Sequence, residues 1–103
     1  MTKPLIIVIP HKLGRAEARR RLETGIGSLK RKFASYMSEV EESWTGDRFA
    51  FSIKAAGQQV AGHLDVGEAQ ATIEVQLPWM LGMIAEKAKT FLQKEGTRLL
   101  SKG

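Results

Sequence analysis

His11 and His63 are the only histidines in this 103-residue chain, and it has no cysteine. Two isolated histidines without thiolates make a poor metal set, because a structural zinc takes four N or S ligands. His11 follows an apolar run and could cap the next turn. His63 falls on a polar strand face, between Ala61 and Asp65 in the alternation. Glu39, Glu41, Glu42, Asp47 and Glu68 offer carboxylates. A carboxylate pair does acid–base work when its surroundings push the two pKa values apart. Glu42 is the best placed, since period-two alternation sets it on one face with Val40 and Trp44. Edge-strand charges, however, also block unwanted pairing between sheets. No serine sits in a G-x-S-x-G elbow, and the glycines form neither a P-loop nor G-x-G-x-x-G. The expectation is therefore a non-enzymatic protein with no catalytic residue, metal site or cofactor.

The basic residues form a second constellation. Lys12, Arg15, Arg19, Arg20 and Arg21 are followed by Lys30, Arg31 and Lys32, interrupted by Glu17 and Glu23. Net charge is +5, which favours attraction to a polyanion or an acidic partner without naming one. Arg15, Arg19, Arg20 and Lys30 are the candidate partner surface. The plainer reading is a solvated helix face, with Arg15 and Arg19 in an intrahelical pair network with Glu23. No aromatic interleaves the run for base stacking, so nucleic acid is the least supported partner.

The third constellation is apolar. In Leu77–Ala85, "LPWMLGMIA", Trp79, Met80, Leu81, Met83 and Ile84 surround the start of a helix on nearly all sides. One sheet cannot cover them all. Trp79, Met80 and Met83, with Trp44, are the candidates for an apolar binding surface, and methionine adapts well to such surfaces. The plainer fate of all four is the core.

The elements that position these residues follow from periodicity. Leu5–Ile9, between two prolines, reads as a strand with two apolar faces, buried on both sides or covered by a helix. A helix begins near Arg15 with Ala18, Leu22, Ile26, Leu29 and Phe33 on one stripe. Gly25 and Gly27 cost it helicity and mark close packing on the sheet or a kink. From Glu39 the period becomes two. Val40, Glu42 and Trp44, then Phe49, Phe51, Ile53 and Ala55, then Val60, Gly62, Leu64 and Val66, then Ala71, Ile73, Val75 and Leu77 share one face. Turn signals lie at Gly46, Gly57 and Gly67. A last helix runs from about Pro78 to Leu100, with Leu81, Ile84, Ala88, Phe91, Glu95 and Leu99 on one face.

The order β-α-β-β-β-β-α is an α+β domain over residues 1–103: one antiparallel sheet with two helices packed on one face. It resembles a reduced helix-grip fold, in which a curved sheet wraps a long C-terminal helix. The longest apolar run near the N-terminus is five residues. Since a membrane span needs about 20, the reading is a soluble cytoplasmic chain without a transmembrane segment.

Five segments, in order, resemble the polyhydroxyalkanoic acid system family of small bacterial proteins: "IPHKLGRAEARRRLE" (Ile9–Glu23), "EESWTGDRFAF" (Glu41–Phe51), "GQQVAGHLDV" (Gly57–Val66), "IEVQLPWML" (Ile73–Leu81) and "KEGTRLL" (Lys94–Leu100). The resemblance runs nearly end to end and carries over no catalytic residue. It implies an accessory role in polyhydroxyalkanoate storage, with the granule or granule-associated proteins as partners. Two alternatives stand beside it: a helix-grip carrier or homodimer that holds a small hydrophobic ligand, and a basic nucleic-acid-binding domain.

Overall fold

The computed structural model describes residues 4–55, 57–76 and 85–101. Strand β1 (Pro4–Pro10) leads to helix α1 (Arg15–Lys32) and a single 3-10 turn at Ala34–Tyr36. Strands β2 (Met37–Thr45), β3 (Arg48–Ala55), β4 (Gln58–Val66) and β5 (Gln70–Gln76) follow, and then helix α2 (Ala85–Leu100). Gly46 (φ 59°) and Gly57 (φ 77°) supply the left-handed backbone of the first two hairpin turns. Residues 77–84, where the sequence places the helix start at Pro78 and the candidates Trp79, Met80 and Met83, lie outside the described residues.

The strands form one antiparallel sheet in the order β1-β5-β4-β3-β2. Hairpins account for β2 to β5. The crossover is α1, which carries the chain from the β1 edge to the β2 edge. At 1.5 Å per residue its 18 residues span roughly 27 Å. Five strands about 4.8 Å apart span roughly 19 Å, so one helix is long enough to cross.

Register turns the predicted faces into rows. Trp44, Phe49, Leu64, Ile73 and Ile7 are successive partners across all five strands. The neighbouring row is Glu42, Phe51, Gly62, Val75 and Leu5. Gly62 is required here: a Cβ would strike the Glu74 carbonyl and come within 2.9 Å of the Phe51 ring. Both helices lie on this face. Ile7, Ile9, Ala18, Leu22, Phe49, Leu64, Val66, Ala71 and Leu100 form the core.

Three expectations are narrowed or corrected. First, of the two readings of β1, cover by a helix holds, with α2 packed along it, and burial on both sides does not. Ile7 and Ile9 are buried, but Ile6 and Val8 are 48% and 44% exposed. Their row neighbours on the outer face are Glu74 and Thr72, and among the described elements no layer covers that side. Second, the α2 stripe is rotated. Gly96 and Leu100 are its buried residues, with Leu92 and Leu99 packed on the core, while Phe91 is 38% exposed. The cause is Gly96, whose missing side chain admits Ile9 of β1 against the helix. Third, Gly25 makes room for Leu99 of α2 rather than for the sheet.

His11 ties this frame together. The Leu13 N–H donates to Nδ1 (3.2 Å), which leaves the proton on Nε2 to reach the Gly67 carbonyl (3.0 Å). The His11 N–H donates to the Ala69 carbonyl (2.9 Å). One buried imidazole thus caps the β1–α1 turn, as its position suggested, and pins it to the β4–β5 turn.

Candidate apolar binding site

The helices do not cover the sheet evenly. α2 packs along β1 and α1 touches α2 and β4, so the helical layer sits over one half of the sheet. The inner faces of β3 and β2 reach past it. Two adjoining apolar hollows lie in the angle. The inner one, about 180 Å³, is lined by residues such as Leu22, Leu64, Ile73, Val75 and Leu99. The outer one, about 250 Å³, is lined by residues such as Phe33, Met37, Val40, Ile53 and Phe91. Ile26, Leu29, Phe49, Phe51 and Leu92 belong to both, so the two form one groove.

Its mouth is aromatic. The Phe33 and Phe91 rings meet edge to face with centroids 5.9 Å apart, and Tyr36 lies 6.3 Å from Phe33. Tyr36 is 71% and Val40 39% exposed. At Glu39 the strand has φ 50°, and the β2–β3 register shifts between Ser38 and Glu41. Such a bulge bends an edge strand and blunts its pairing capacity.

Among the described residues, Lys30 and Glu42 are the polar ones that line the outer hollow, and they meet each other at 2.5 Å. This pair spans the gap from α1 to β2. Glu95 borders the inner hollow and turns to Arg98, at 3.1 Å. The Arg98 hydrogen bonds hold the Glu95 carboxyl below its ordinary range, with Lys32 adding a smaller pull in the same direction.

The remaining candidates assemble differently. Trp44 and Arg19, which the sequence places on separate surfaces, stack on each other: the guanidinium lies 4.4 Å from the ring centroid. Arg19 Nε is 3.0 Å from a Glu23 oxygen but out of hydrogen-bond alignment, so that contact is electrostatic. Trp44 also packs on Phe49, at 5.2 Å. Arg15 turns to Asp47 (3.4 Å) and Glu68 (3.8 Å) instead of along its helix. Arg20 and Arg21 share Glu17, whose carboxyl is lowered to about 2, chiefly by the Arg20 hydrogen bonds and next by that of Arg21. Arg15, Arg19, Arg20 and Lys30 are thus each engaged with a carboxylate.

Of the sequence candidates among the described residues, Arg15, Arg19 and Arg20 lie on a paired basic face with Trp44 stacked on Arg19, and Lys30 lines the apolar groove. The groove-lining residues that sequence reasoning misses are Phe33 and Phe91, with Tyr36 beside Phe33 at the mouth. Periodicity alone puts Phe33 and Phe91 on core stripes. The available signal is the Phe33–Tyr36 spacing at the end of a basic helix, where a core stripe should stop.

On the outer sheet face, His63 Nε2 lies 3.6 Å from Asp65 and 3.7 Å from Glu74. Among the described residues no cluster of three or more His, Cys, Asp or Glu side chains is arranged to hold a metal ion, and no helix is long and apolar enough to cross a membrane.

Comparison with known families gives one assignment. The family model described as "putative polyhydroxyalkanoic acid system protein" matches residues 5–100. No curated protein matches the chain.

Proposed function

Because the chain belongs to the polyhydroxyalkanoic acid system family, we propose that it is a non-enzymatic accessory protein of polymer storage that binds the granule surface or a granule protein. The observation that carries this reading is the exposed Tyr36, Phe91 and Val40 around an apolar groove. Aromatic and aliphatic side chains left in water at one site mark a surface that meets something apolar. The polyester surface is apolar. Trp79, Met80 and Met83, outside the described residues, are further candidates from sequence alone.

Granule fractionation tests the proposal. In cells making polymer, the protein should sediment with granules. Tyr36→Ser with Phe91→Ser should move it to the soluble fraction, and Trp79→Ala with Met83→Ser should do so if the second surface contributes. A wholly soluble wild-type protein overturns the proposal. Size-exclusion mass measurement of the same variants reports whether a homodimer buries these aromatics instead.

A second reading, a helix-grip carrier for a small hydrophobic ligand, is favoured by one specific observation. The groove continues inward past the exposed aromatics, to Leu64, Ile73 and Val75, deeper than a flat contact with a surface requires. Ligand sites are concave and mostly apolar, with a few placed polar groups.

A further inference from the structure

We infer that the groove takes a single acyl chain with a carboxylate head, tail inward and head at Lys30. The inference deepens the carrier reading and rests on it. Three observations on the groove point the same way.

The first is the sorting of chemistry along its length. Toward Leu22, Leu64, Ile73 and Val75 the walls are hydrocarbon, and Glu95 at that end is already bound to Arg98. Among the described residues no group there is left to satisfy a polar head. An unpaired carboxylate buried at that end would lose its hydration without compensation. The tail must therefore occupy the inner hollow.

The second is the cation at the outer hollow. Lys30 Nζ is the positive group among its lining residues. An ammonium has three donors, and Glu42 takes one. Lys30 is only partly buried, so its other donors can reach a ligand at the mouth. Hydrogen bonds between ionised partners are about twice as strong as neutral ones.

The third is the position of Glu42. It is held on the sheet by its register opposite Phe51, so it competes with an incoming carboxylate for Lys30. Two residues of opposite sign then set head-group selectivity in opposite directions. An aliphatic alcohol would lose the ion pair, keep a weaker hydrogen bond from Lys30, and keep the apolar burial.

The test uses purified full-length protein loaded with Nile red, a neutral dye, displaced by dodecanoate or by dodecanol. Dodecanoate should bind about tenfold more tightly than dodecanol, the ratio that about 1.4 kcal/mol provides. Lys30→Met should erase that preference, chiefly by weakening dodecanoate and with a smaller effect on dodecanol. Glu42→Gln should strengthen dodecanoate several-fold with no effect on dodecanol. Leu29→Trp, which fills the shared part of the groove, should abolish both. Phosphatidylglycerol vesicles at equal acyl concentration should not retain the protein, since a double-chain lipid does not fit.

Failure of dodecanoate to displace the dye, or a preference that survives Lys30→Met, overturns the inference. Retention on vesicles would replace the single chain with a membrane surface. No granule is present in this titration, so its failure leaves granule docking standing. Conversely, intact dodecanoate binding by a protein that never sediments with granules would keep the acyl site and remove granule docking.

Discussion

The sheet has a filled half and an overhanging half. Over β1, β5 and β4, two helices approach so closely that glycine is needed at the contacts: Gly96 receives Ile9, and Gly25 receives Leu99. Over β3 and β2, the inner faces of Phe51, Ile53 and Val40 meet an open groove. At these two contacts there is no room for an added methyl group, although the inner hollow still reaches Leu64, Ile73 and Val75. The overhanging half has apolar walls without a matching layer among the described residues. The same alternating pattern built both. Only the reach of the helical layer separates a core from a candidate binding site.

The strongest way to break this contrast is to overpack each half. Gly96→Val places a branched side chain into Ile9 and should cost at least about 3 kcal/mol in urea unfolding, at or beyond the upper end for overpacking. Ile9→Ala should recover part of that loss in the double variant, because the two act on one contact. In the overhanging half, Leu29→Phe adds the same number of heavy atoms, though less volume, and should change stability by less than about 1 kcal/mol, since the groove has space for it. Equal losses for the two would mean the halves are packed alike.

The next largest effect is expected at the pin of the filled half. His11→Ala removes a buried donor and acceptor and strands the Leu13 N–H and the Gly67 carbonyl. The cost should be about 1–3 kcal/mol, read from thermal unfolding. His11→Asn, which can offer both groups, should recover part of it. A cost below a few tenths would show that water replaces the imidazole.

Smaller still is the expected effect at the aromatic mouth. Tyr36→Ser should leave stability within about 0.5 kcal/mol of wild type, as for other exposed positions, while weakening granule association. A large loss of stability would move Tyr36 from the binding surface to the fold.

The smallest expected effect is electrostatic. The Glu17 carboxyl is lowered from 4.5 to about 2 by Arg20 and Arg21. Its folded pKa lies below its unfolded one, so the stabilisation is complete above about 4.5 and fades as pH falls toward 2. Comparing wild type with Glu17→Gln across that window should show the gap between them closing. The pair is exposed and salt should shrink the gap further. A gap that persists at pH 2 would show that Glu17 stabilises α1 by something other than its charge.

Much of the fold is legible because its periods are clean. Phe49, Phe51 and Ile53, or Ala71, Ile73 and Val75, can share a face only as strands, and Gly46 and Gly57 stand where turns need positive φ. The departure at Leu5–Ile9 has a different cause. A run apolar on both faces looks the same at a wet edge as in a covered centre, because coverage depends on where the other elements end up. Phe91 departs for a related reason. Its helical period is right, but the phase is set by Gly96 meeting Ile9, a contact between residues far apart in sequence. At the candidate site, the basic residues are legible as a group and their partners mostly are not. Arg19 on Trp44 and Lys30 on Glu42 bring together a helix and a strand that only folding makes adjacent.

The sequence by itself determined the elements, the face that β2 to β5 turn inward, the turn positions and the family, since these depend on local spacing and residue order. The tertiary structure decided which apolar residues stay in water and which cations keep a reachable donor. Those outcomes depend on how far a helix of fixed length extends over a five-stranded sheet. Among the described residues the two helices pack mainly over β1 and β4, and the inner faces of β2 and β3 are left to line the groove.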